Sequence, residues 1–111
     1  MNFNLNNKKM NVTQTAQNGV VNSETVFNFT QMENFVYANY SGGKIKQGFL
    51  VGILKDNELE FRFAQVQING RLDGGVSKCS LDINENGKLR LIEHFSWESQ
   101  EGSGINIFEE I

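Results

Sequence analysis

Short apolar runs, interrupted every 8–12 residues or so by turn-forming residues and nowhere by proline, limit this chain to a narrow set of folds. The interruptions are Gln17-Asn18-Gly19, Met32-Glu33-Asn34, Gly42-Gly43, Asp56-Asn57, Asn69-Gly70, Asn84-Glu85-Asn86-Gly87 and Gly102-Ser103-Gly104. Asn-Gly and Gly-Gly pairs supply the positive φ angles of tight hairpin turns. Between them no stretch keeps a 3.6-residue apolar period over three turns, so the pattern predicts an all-β chain. Strands are expected near residues 10–16, 20–30, 35–41, 44–55, 58–68, 73–82, 88–99 and 104–110. The connections are too short for crossovers, which makes an antiparallel up-and-down meander. Closing about eight strands into a barrel buries one face and leaves no exposed edge. The absence of proline agrees, because proline cannot donate to a ladder paired on both sides.

Alternation then assigns faces. Val21, Ser23, Thr25, Phe27 and Phe29 form the inner set of the second strand, and Val36, Ala38 and Tyr40 share a face of the third. The fifth strand places Leu59, Phe61, Phe63, Gln65 and Gln67 together. Its pattern degrades toward the end, which a bulge near Gln65 would explain. Gly48 and Gly52 alternate with Leu50 and Leu54 on one face of the fourth strand. Glycine weakens a strand, and a crowded, strongly coiled barrel interior is a setting that accepts it. A phosphate-cradling role would need a following helix N-terminus, and none is predicted here.

Composition removes several function classes. A chain of 111 residues forms one small domain, predicted over residues 10–111 behind a loose, Asn-rich leader at residues 1–9, with Met10 an alternative start. A net charge of −3 without a basic stripe argues against nucleic acid and anionic membranes as partners. One Cys and one His cannot build an ordinary zinc site, so neither metal nor cofactor is expected. No apolar run has the length of a secretory signal or a membrane span, from which a cytoplasmic location is expected.

The seventh strand raises a chemical question. KLRLIEHFSWES places Leu89, Leu91, Glu93, Phe95 and Trp97 on one face and His94 on the other. That apolar face must be buried, and it carries a carboxylate in its middle. Glu93 therefore needs hydrogen-bond donors or a raised pKa. Glu93 could satisfy a buried structural donor from a Gln, Tyr or Trp, or the strand could bulge and release it to solvent. Alternatively, together with Tyr40, Gln65 and Trp97, it lines an apolar cavity with a few convergent polar groups, the composition of a small-molecule site. No residue is assigned a catalytic role, since His94 faces outward and Cys79 is not read as an activated nucleophile.

The ordered blocks NGVVNSETVF (Asn18 to Phe27), YSGG (Tyr40 to Gly43), GFLVG (Gly48 to Gly52), RFAQVQ (Arg62 to Gln67), GKLRLIEHFSW (Gly87 to Trp97) and SGINIFEE (Ser103 to Glu110) resemble a family of small bacterial proteins often labelled N-acetylglutamate synthase. That family is similar in pattern to avidin-like and lipocalin-like barrels, so the resemblance implies barrel closure. Phe63 stands where the family pattern has a Tyr beside the Arg, which keeps the packing and removes a hydroxyl. The label implies acetyl-CoA chemistry, yet the chain has neither the Gly-rich turn capping a helix nor the mixed α/β pattern of the usual acetyltransferase fold. The reading is a small-molecule binding barrel, with homo-oligomers open to it. An N-acetyltransferase is the first alternative and a sealed structural or interaction barrel the second.

Overall fold

The computed structural model describes residues 3–111, which form eight strands and no helix: β1 (Lys8–Gln14), β2 (Val26–Met32), β3 (Phe35–Gly42), β4 (Ile45–Lys55), β5 (Glu58–Gln67), β6 (Leu72–Ile83), β7 (Leu89–Trp97) and β8 (Ser103–Glu110). Each pairs antiparallel with the next, and β1 pairs with β8, so the meander is a closed barrel. Six of the predicted turns are hairpin connections. Left-handed residues sit in each of them: Glu33, Gly42 with Gly43, Asp56, Gly70, Gly87 and Gly102.

The seventh turn behaves differently. Residues 20–25 are not strand, and β2 begins only at Val26. The connection over residues 15–25 folds instead into two small turns, closed by Gly19 N–H donating to Ala16 O at 2.9 Å and Thr25 N–H donating to Asn22 O at 3.0 Å. The Thr25 hydroxyl accepts from Asn22 N and donates to Gly42 O, tying the connection to the β3–β4 hairpin. Local side-chain bonds of this kind compete with a ladder. Val21 and Thr25 are buried as expected, whereas Ser23 is exposed.

The N-terminal leader also needs correcting. Residues 1 and 2 lie outside the described residues, but from Phe3 onward the segment belongs to the packed structure. Leu5 is completely buried in the core, its N–H donates to Gln31 Oε1 at 2.9 Å, and Asn7 N–H donates to Phe29 O at 3.0 Å. Asn7 takes a left-handed turn, φ 61°, that delivers the chain into β1 at Lys8. Both Gln31 and Phe29 lie toward the β2–β3 end of the barrel, so Leu5 closes that end.

Inside, the alternation holds. Val36, Ala38, Tyr40, Leu50, Leu54, Leu59, Phe61 and every inward residue of β7 are buried. The irregularity expected at Gln65 is displaced: β5 keeps register with β6 through Gln65, and the bulge lies on the facing strand, between Ile45 and Gln47. Gly48 pairs with Tyr40 on one side and Gln65 on the other. A Cβ there would run into the Tyr40 ring, which lies across the glycine. At Gly52 a Cβ would meet the Glu60 carbonyl and the Phe61 side chain. Both glycines thus serve close packing, and Gly48 has the further effect of letting Tyr40 reach across β4.

Candidate functional site

The two ends of the barrel interior differ chemically. Toward the β2–β3, β4–β5 and β6–β7 turns the inward residues are aliphatic, including Val36, Leu54, Leu59, Leu81 and Leu89. Toward the other end they are aromatic and polar. There Phe27, Tyr40, Phe61, Phe63, Phe95 and Trp97 wall a cavity, with Val20 and Val21 of the β1–β2 connection bordering it. The rings interlock: Phe27 stacks on Tyr40 at 4.2 Å, and Trp97 meets Phe63 and Phe95 edge-on at 5.7 and 5.3 Å. The remaining space is water-sized, about 20 Å³.

All four residues singled out from sequence, Tyr40, Gln65, Glu93 and Trp97, border this cavity. Only two of them bond to each other. The Tyr40 hydroxyl, carried over Gly48, donates to Gln65 Oε1 at 2.8 Å. Burial, with Glu93 and Asp73 nearby, pushes the Tyr40 pKa far up, so it remains a neutral donor.

Glu93 is served by residues that the sequence reading did not select. Its Oε2 accepts from Ser77 Oγ at 2.5 Å and its Oε1 from Asn106 Nδ2 at 2.9 Å. Asn106 Oδ1 in turn accepts from Ala16 N at 2.8 Å. A polar chain therefore runs from β6 through the carboxylate to β8 and on to the β1–β2 connection. Burial raises the Glu93 pKa above its ordinary value, opposed by the bonds from Ser77 and Asn106. Cys79, directly across the ladder from Glu93, is pushed up by burial and by that carboxylate, which makes it an inert thiol.

A second buried carboxylate, Asp73, is compensated differently. It accepts from Arg71 Nε at 2.8 Å and Gln67 Nε2 at 2.7 Å. Glu93 has only neutral donors. The indole Nε1 of Trp97 has no hydrogen-bond partner among the described residues, although Trp97 is buried. His94 lies on the exposed outer face. Among the described residues no three His, Cys, Asp or Glu side chains converge as metal ligands.

Ser77, Asp73 and Asn106 were legible only through register. Each is inward by alternation with apolar residues of its own strand: Cys79 and Leu81 on β6, Phe108 on β8.

No curated protein and no solved structure matches the chain. A family model described as avidin-like protein matches residues 3–111, and the chain belongs to that family.

Proposed function

We propose that this member of the avidin-like family binds a small molecule at the aromatic end of its barrel, with Tyr40, Gln65, Glu93 and Trp97 among the contacts. The observation that carries the reading is the cavity itself, where a buried carboxylate without a countercharge borders a space walled by aromatic rings, among them Trp97, whose buried indole N–H has no partner among the described residues. Folding stability alone does not select such groups, whereas binding sites collect them.

Trp97 is the single tryptophan, so its emission reports on the cavity directly. Titrating the protein with a panel of water-soluble metabolites should give at least one saturable change in emission with a matching rise in melting temperature. Silence across the panel, together with a Trp97 that acrylamide cannot quench, would leave the sealed-core reading standing. Acetyl-CoA with glutamate belongs in the panel, because N-acetyl transfer is the rival. Turnover by homogeneous protein would displace the binding reading.

A specific observation also favours self-association. The outer face of β3 and β4 exposes Phe35, Tyr37, Phe49, Val51 and Ile53 as one stripe, with Phe35 opposite Ile53 and Tyr37 opposite Val51. Contiguous apolar patches of this kind mark interaction surfaces. A second copy is the natural occupant of a flat sheet face, since a two-fold axis sets the same stripe against itself. Sedimentation should show a dimer or larger species that Val51→Lys converts to monomer. A monomeric wild type at 100 µM, about the upper range of such experiments, would refute it.

A further inference from the structure

Resting on the binding reading above, we propose that the ligand presents a protonated amine, an alkylammonium head group that sits in the water-sized space beside Glu93 with its chain leaving past Val20 and Val21. Three observations converge. The space matches a group the size of water, as –NH3+ is. The walls are largely aromatic rings, whose faces attract a cation. Glu93 is fully buried with neutral donors on both oxygens, and each carboxylate oxygen keeps acceptor capacity beyond the one bond it receives.

Among the described residues nothing inside the barrel already supplies the countercharge. On β7 the inward neighbours are Leu91 and Phe95; β6 faces Glu93 with Ser77 and Cys79, β8 with Asn106, and β3 contributes Tyr40. At this end of the barrel Arg71 is committed to Asp73, Arg62 pairs with Glu98, and Lys44 and Lys46 are exposed to solvent, while Lys78 and His94 lie opposite each other on the outer face. An uncharged ligand would leave the carboxylate without a countercharge, and an unpaired buried charge is costly.

The test compares butylammonium with butan-1-ol, which have equal numbers of heavy atoms and differ in charge, using Trp97 emission and melting temperature as readouts on the intact protein. Butylammonium should saturate at concentrations at least tenfold below butan-1-ol. Glu93→Gln should erase that preference, and affinity should rise with pH through the titration of Glu93 and then level. If butan-1-ol binds as well as the amine, the amine inference falls and the binding site stands. If neither binds while another panel compound does, the inference falls in the same way; if nothing binds, both fall. Should Glu93→Gln fold poorly, Ser77→Ala provides a second arm. It keeps the carboxylate and removes one competing donor, so the amine preference must persist in it.

Discussion

Leu5→Ala is expected to lower the stability of the barrel by about 2–5 kcal/mol, the range for emptying a leucine site in a packed core. Leu5 is completely buried and belongs to the same cluster as Met10, Phe29 and Leu54. Its backbone is fixed by Gln31 Oε1, so the segment cannot simply slide to refill the gap. For a domain of this size such a loss lowers the melting temperature by roughly 10 °C or more. Asn4→Ala, whose side chain accepts only a local bond from Asn6 N, serves as the control and should change little. Equal melting curves for wild type and Leu5→Ala would mean that the N-terminal segment does not close the barrel in solution. A chain begun at Met10 would lack Leu5 and the first two residues of β1 altogether, and is expected to fold worse still.

Why this segment reads as a loose leader from sequence is instructive. A single leucine among asparagines and lysines has no period, and periodicity is what sequence reading detects. The strands from β3 onward were legible because their turns carry φ-specific residues and their inner faces are strongly apolar. The β1–β2 connection was not, since Val21, Ser23 and Thr25 imitate a strand's alternation while the Asn22 and Thr25 side chains bond locally. Within the candidate site, Glu93 stood out by contradicting its neighbours Leu91 and Phe95. Ser77, Asp73 and Asn106 did not, because β6 reverses the usual contrast: it buries Asp73 and Ser77 while exposing Leu72 and Ile83. Small and polar residues inside a barrel look like an outer face until register with the next strand is known.

The largest pH effect should come from Glu93. Its folded pKa is raised, chiefly by burial, above the 4.5 of an ordinary glutamate. Below about pH 4.5 both folded and unfolded chains hold the proton and the group is neutral in each. As pH rises further, the unfolded chain releases the proton while the folded one keeps it, so stability falls by about 1.4 kcal/mol per pH unit until the folded pKa is passed. Glu93→Gln is neutral at every pH and can keep the geometry: its carbonyl accepts from Asn106 Nδ2, and its amide can donate to Ser77 Oγ, since a hydroxyl also accepts. The variant should therefore match wild type near pH 4 and exceed it by a margin that grows with pH until the folded pKa of Glu93 is passed and then stays constant. Glu93→Leu removes the carboxylate too, but strands the Ser77 hydroxyl and Asn106 Nδ2 at about 1–3 kcal/mol each, and loosens the Asn106 amide that holds Ala16. It should be the least stable of the three near pH 4. Denaturant unfolding at pH 4, 5, 6 and 7 separates these outcomes. If wild type and Glu93→Gln run parallel across that range, Glu93 is compensated by something beyond Ser77 and Asn106, and its burial as a neutral acid is wrong.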